Sequence, residues 1–130
     1  MAAKSDDPHA LRRAAERRGR RAELAAVWLL RLKGFRILAR RYRTPVGEID
    51  LIGRRGGLIA FVEVKRRPTL AEAAEAVTPA GRRRIARAAS LWLARNAAAA
   101  ELTLRFDAVL LAPRRWPRHM VGVFDADGAA

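Results

Sequence analysis

One stretch constrains this chain more than any other. Gly47 to Arg67 reads GEIDLIGRRGGLIAFVEVKRR. Two apolar runs flank a glycine pair, the pattern of a β-hairpin. Side chains alternate between the two faces of a strand. Glu48 and Asp50 are therefore expected on one face of the first run, with Ile49 and Leu51 on the other. On the second run Ile59, Phe61, Glu63 and Lys65 share a face, opposite Ala60, Val62 and Val64. A tight loop within residues 54–57 then sets Asp50 opposite Phe61 and Glu48 opposite Glu63. Glu63 becomes the diagonal neighbour of Asp50, within reach of it. Asp50, Glu63 and Lys65 are expected to converge on one patch, with Glu48 beside them.

Clustered carboxylates repel one another, and keeping them ionised while part-buried is costly unless a cation sits between them. A divalent metal, an arginine or Lys65 itself meets that need. Oxygen ligands suit Mg²⁺ or Mn²⁺. An ion held by Asp50 and Glu63, with Glu48 at hand, could activate water and stabilise charge on a phosphate. Lys65 could orient that water or neutralise the transition state. Only 3 of the 27 cationic residues are lysine, and a compact ammonium is not interchangeable with a guanidinium. Spacing alone fits equally well a plain salt bridge of Lys65 with Glu48 or Glu63 on a solvated sheet face.

The remainder reads as one domain. Its 130 residues are 51% apolar, but 28 of those are alanine. The larger apolar side chains still suffice for a single core. Residues 1–19 form a basic, flexible or helical arm in which Asp7-Pro8 is a helix-start pair. A helix over 20–33 carries Leu24, Val27, Trp28 and Leu32 at helical spacing and stops at Gly34. Strands are expected over 35–43, within the hairpin, over 102–111 and over 119–124. A short helical turn follows Pro68. Thr78-Pro79 opens a second long helix to about Asn96, with Ile85, Ala88, Ala89 and Trp92 inward. The folded unit spans 20–125, and 126–130 read as a disordered tail. The order is α-β-β-β-α-β-β, an α/β protein. Glu23 shares a helical side with Val27 and Leu30, which offers either a further carboxylate near the hairpin site or a solvated helix residue.

The formal net charge is +14, and such an excess points to a polyanionic partner, nucleic acid first. The arginine and alanine bias also fits a GC-rich coding sequence, a cause unrelated to binding. There is no run of about 18 apolar residues to cross a membrane and no cysteine for a disulfide. A cytoplasmic location is the default expectation. Aromatic residues are few, so base stacking is a poor source of affinity. Phosphate contacts are expected instead from Arg54 and Arg55 at the hairpin tip, from Arg66 and Arg67 after the second strand, and from Arg82, Arg83, Arg84 and Arg87 in the second long helix. For each the alternative is an ordinary solvated arginine.

The longer string GEIDLIGRRGGLIAFVEVKRR, preceded by KGFRILARRYRTPV and followed by RFDAVLL, resembles the YraN-like family of predicted endonucleases. That family is similar to the PD-(D/E)xK nucleases and to archaeal Holliday-junction resolvases. The resemblance runs from about Arg20 to Phe124. It implies a restriction-endonuclease-like fold, a central mixed sheet flanked by helices. It implies that Asp50 is a metal-binding aspartate, Glu63 a metal ligand, Lys65 the catalytic lysine and Glu23 the first-helix glutamate. Asp107 falls on the family's R-F-D strand, with Arg105 and Asp107 read as a structural pair. Two positions depart from the family pattern: Ala22 stands where glycine is frequent, and Gly81, followed by three arginines, where lysine is frequent. The expected activity is Mg²⁺- or Mn²⁺-dependent hydrolysis of DNA, branched DNA included, with a homodimer if both strands are cut. The alternatives are a binding module that keeps the fold without turnover, and a basic protein that binds RNA.

Overall fold

A computed structural model describes residues 7–124. The expected tail over 126–130 and the first six residues of the arm lie outside them. Helix α1 (Pro8–Leu32) begins where Asp7 accepts a hydrogen bond from the His9 amide and Pro8 occupies the first turn. The arm and the first helix are therefore one 25-residue element. Strands β1 (Arg36–Thr44), β2 (Gly47–Arg55) and β3 (Leu58–Arg66) follow as an antiparallel meander. Helices α2 (Leu70–Glu75) and α3 (Pro79–Arg95) are capped by Thr69 and Thr78, whose side chains accept from the Glu72 and Gly81 amides. A 3₁₀ turn over Ala97–Glu101 leads to β4 (Thr103–Leu111) and β5 (Arg118–Phe124).

The five strands lie in sequence order. β3 pairs with β4 in parallel and every other pair is antiparallel, so the sheet is mixed. α1 covers one face through Ala22, Ala26, Val27 and Leu30, which meet Leu51, Ala60, Val62 and Val109. α3 covers the other, with Ile85, Ala88, Ala89 and Trp92 on Ile49, Ile52, Ile59 and Phe61. α2 joins it over Ala108 and Leu110 of β4. Phe61 anchors that side, edge-on to Trp92 at 5.8 Å and stacked on Phe106 at 5.2 Å. This is the restriction-endonuclease-like architecture expected above. Among the described residues, no helix is long and apolar enough to cross a membrane.

Three local expectations are corrected. First, the hairpin turns at Gly56-Gly57, so Ile52 rather than Asp50 lies opposite Phe61. Gly56 has φ +59 and is the only one of the two glycines with positive φ, as in a type II′ turn. The displacement is two residues, an even step, so β3 keeps its faces. Second, alternation breaks at Asp50. Ile49 packs under α3 and Leu51 under α1, while regular strand geometry would keep them together. The partner strand breaks at the same level, where Arg41 has φ 51. Third, the buried side of α1 is not the Leu24–Trp28–Leu32 row, which is exposed. The sheet side is instead Ala22, Glu23, Ala26, Val27 and Leu30, one row over, so Val27 is the member of the expected set that is buried. Trp28 lies beneath the Arg31 guanidinium, 5.5 Å from its ring centre.

Residues 8–21 of α1 bury no side chain, so roughly 21 Å of this helix adds nothing to the core. At the other end of the site, Gly47 begins β2 against α3. A Cβ there would come 2.5 Å from the Arg84 carbonyl oxygen and 2.9 Å from its carbon, and backbone cannot step aside cheaply. Gly47→Ala is expected to destabilise by about 1–3 kcal/mol. A urea midpoint lowered at unchanged m would register it.

Candidate active site

Asp50 sits on β2 where the strand leaves regular alternation, and its Oδ2 accepts a 2.7 Å hydrogen bond from the Val64 amide. That bond bridges the two arms of the hairpin and holds the carboxylate beside Glu63 and Lys65. Lys65 Nζ lies 3.1 Å from Glu63 Oε1. The second Glu63 oxygen, Oε2, is buried and has no hydrogen-bond partner. The first turn of α3 lies beside this carboxylate, since a Cβ on Gly81 would stand 3.8 Å from Glu63 Oε1. Glu48 is half-exposed, 3.6 Å from Arg43, and lines the same cleft as Asp50, Glu63 and Lys65.

Burial pushes the Asp50 pKa up to about 6; the Val64 amide and Lys65 oppose that rise, and Glu63 and Glu48 add to it. A carboxylate with a raised pKa beside a second carboxylate with an unpartnered buried oxygen is a site short of positive charge. The donor set fits a hard divalent cation, with Asp50 and Glu63 as ligands and Glu48 within the same cleft. Among the described residues, no three His, Cys, Asp or Glu side chains gather as a metal centre by themselves. A cation here would complete its shell from water, backbone or phosphate oxygens, as Mg²⁺ commonly does.

Glu23 does face the sheet, 7% exposed, and shares a cleft with Asp50, Lys65, Arg66 and Arg67. Both its oxygens are engaged, Oε1 by Arg40 at 3.2 Å and Oε2 by Arg41 at 2.6 Å. Its carboxylate in turn raises the Arg41 pKa further above its ordinary value, chiefly by the hydrogen bond between them. Of the expected phosphate contacts, Arg66, Arg67 and Arg84 line the clefts around Asp50. Arg82 is half-buried nearby in α3, with its Nε lacking a partner, while Arg83 and Arg87 are exposed on the same helix. Arg54 and Arg55 lie at the opposite end of the hairpin, about 14 Å along the strand from Asp50. Arg55 there bonds the Lys33 carbonyl and covers Phe35. Sequence reasoning missed Arg18, Arg40 and Arg41. Adjacent arginines in a strand look solvated, and nothing in ARRYR announces a left-handed residue.

Asp107 is remote from this chemistry and fully buried. It accepts two bonds of 2.9 Å from Arg105, one of 2.8 Å from His119 Nε2 and one of 3.0 Å from the Gly122 amide. Burial opposes its ionisation, but the His119, Arg105 and Gly122 bonds outweigh burial and hold its pKa below the usual carboxylate value. Arg105 and Asp107 are a structural pair.

A sequence model of UPF0102, described as an uncharacterised protein family, matches residues 22–111. The chain belongs to this family. Proteins named UPF0102 align with it over most of their length. The relative from Chelativorans sp. is 56% identical over 115 residues, 88% of this chain and 93% of its own. The one from Methylobacterium nodulans is 56% identical over 125 residues, 95% of this chain and 97% of its own. The one from Methylorubrum extorquens is 57% identical over 122 residues. UPF0102 is the YraN family met above as a resemblance. The matched region begins at Ala22, so the first turns of α1 precede it.

Proposed function

We propose that this UPF0102 protein is a metal-dependent endonuclease that hydrolyses phosphodiester bonds in DNA, branched DNA among its substrates. The observation that carries the reading is the meeting of Asp50, Glu63 and Lys65 at one cleft, with a raised Asp50 pKa and an orphaned Glu63 oxygen. Asp50 and Glu63 would hold Mg²⁺ or Mn²⁺. The bound ion would supply Lewis-acid stabilisation of the phosphoryl oxygens and a lowered pKa for water. The Val64 amide fixes the Asp50 carboxylate, and Glu63 Oε1 fixes Lys65 Nζ beside it. Nζ has three donors, enough to keep Glu63 and still meet the attacking water or a phosphate oxygen. In-line attack forms the new P–O bond as the bond to the leaving sugar oxygen breaks. Cutting both strands of a duplex needs two such sites, which a homodimer would provide.

A second reading, a nucleic-acid-binding module without turnover, is favoured by one observation. The site's charges are partly compensated already, Lys65 by Glu63 and Glu23 by Arg40 and Arg41. Nicking of supercoiled plasmid and cleavage of junction, duplex and single-stranded DNA with Mg²⁺ or Mn²⁺ separate the two. Wild type is expected to cut, with Lys65→Ala reduced at least about 10²-fold. Lys65→Arg should not restore cleavage, because the planar fork cannot replace the ammonium. Equal cutting by wild type and Lys65→Ala would mean contamination. Binding without cutting would leave the module, and preference for RNA would favour an RNA-binding role.

A further inference from the structure

Asp50 and Lys65 stand on the boundary between two clefts of opposite electrical character. The cleft between α1 and the end of β3, about 400 Å³, is lined by Arg18, Arg41, Lys65, Arg66 and Arg67, with Glu23 and Asp50 its only carboxylates among the described residues. The cleft between the β1–β2 turn and α3, about 540 Å³, is lined by Glu48, Asp50 and Glu63, with Lys65 and Arg84 its only cations among the described residues. Five cations face two acids on one side, and two cations face three acids on the other. Concave walls of one sign focus the field and concentrate counter-ions. We infer that the two clefts divide the work: the acidic cleft takes the metal, and the basic cleft grips a backbone phosphate next to the scissile one through Arg18, Arg41 and Arg66. This rests on the function proposed above and adds to it a strand path and an anchor.

Two further features point the same way. Arg41 is a non-glycine residue at φ 51, a backbone state that persists where surroundings hold it. It turns the side chain out of strand alternation and onto buried Glu23. That bond uses Nε and leaves the two terminal nitrogens for another acceptor. Glu23 is then a positioning residue for Arg41 rather than a metal ligand. Gly19 also lines this cleft, within the α1 helix. A helix-interior glycine costs about 1 kcal/mol against alanine. A Cβ there would meet no protein atom within 4 Å, so packing does not require glycine. The space beside it suits the close approach of a ligand backbone.

The test is equilibrium binding of fluorescein-labelled duplex and junction DNA in EDTA across a NaCl series, followed by cleavage kinetics with Mg²⁺. The double variant Arg18→Ala/Arg41→Asn keeps a residue that tolerates left-handed backbone. It is expected to bind at least about 10-fold more weakly at low salt and to flatten the slope of log K against log [NaCl] by about 1–2. KM should rise with little change in kcat, because an anchor phosphate is held alike in ground and transition states. Gly19→Leu fills the cleft without changing charge, and is expected to weaken binding while the salt slope stays near wild type. Arg115→Ala, in the β4–β5 connection, removes one charge as a control and should match wild type. If the double variant is unfolded by circular dichroism, the Gly19→Leu result decides. Wild-type binding and cleavage left unchanged by the folded variants overturns this inference alone. Failure of the wild type to bind DNA overturns the proposed function and this inference with it.

Discussion

Asp50→Asn is expected to abolish cleavage and, at the same time, to make the protein more stable at neutral pH. Removing one of the two proposed ligand carboxylates should cost at least about 10³-fold in kcat/KM with Mg²⁺. The stability gain follows from the raised pKa. A group whose folded pKa of about 6 exceeds its unfolded value near 4 gives stability that is fully present below the unfolded pKa. That stability is lost as pH rises through 6. The metal-free wild type should therefore forgo roughly 3 kcal/mol between pH 4 and pH 8 that the asparagine variant does not. The asparagine oxygen can still accept from the Val64 amide, so the local fold survives. In thermal melts with EDTA, the variant should exceed wild type by about 10 °C at pH 8, and the gap should close towards pH 4. Adding Mg²⁺ should raise the wild-type Tm and leave the variant unmoved. A variant no more stable than wild type at pH 8 would show that Asp50 carries no burden of charge.

The opposite outcome is expected two strands away, on β4. Asp107→Asn should destabilise by about 3–5 kcal/mol and lower Tm by about 10–20 °C. All four of its bonds come from donors, two of them from Arg105, and a carboxylate accepts them all. An asparagine has one acceptor oxygen, and its amide would face donors while Arg105 lost its counter-charge. His119 is drawn in through Nε2, and its Nδ1 stands 2.9 Å from Lys33 Nζ. Lysine can only donate, so Nδ1 accepts and Nε2 carries the proton. The network ties the start of β5 to the end of α1. The sign runs contrary to Asp50: a depressed folded pKa gives stability above the unfolded value near 4, lost as pH falls through the folded pKa. Tm measured against pH should show wild type and variant well apart at pH 7 and converging in acid. Hydrogen exchange should quicken first in residues 118–123.

Much of this molecule was legible before its structure because its punctuation is strong. Asp7-Pro8 and Thr78-Pro79 mark helix starts through side-chain caps and a preset φ, and Gly34 marks a stop. The faces of β3 followed from parity, which survives any even change of register. Three things were not legible. The turn at Gly56-Gly57 depends on which glycine takes positive φ, and that choice moved every cross-strand pair by two. The face of α1 was not legible because Leu24, Trp28 and Leu32 dominate its hydrophobic pattern, while the buried row of Ala22, Ala26, Val27 and Leu30 is half alanine and carries a weaker signal. The site's arginine partners were hidden because Glu23, Arg40 and Arg41 meet only through tertiary packing, and arginine has no local preference for φ 51.

The parallel pairing of β3 with β4 has a consequence for how the chain is made. Each bond of that seam joins residues 45 apart, from Leu58 with Thr103 to Arg66 with Leu111. The meander that holds Asp50, Glu63 and Lys65 is local and can form early, while the seam closes a long loop and is slow. During synthesis at about 5–20 residues per second, β3 waits roughly 2–9 s for its partner. Through that interval LIAFVEV presents an apolar edge to other nascent chains. The charged run Lys65, Arg66 and Arg67, closed by Pro68, sits at its end as a gatekeeper against edge-to-edge pairing. The same cations that line the basic cleft in the finished protein stand at the end of this strand while its edge is still unpaired.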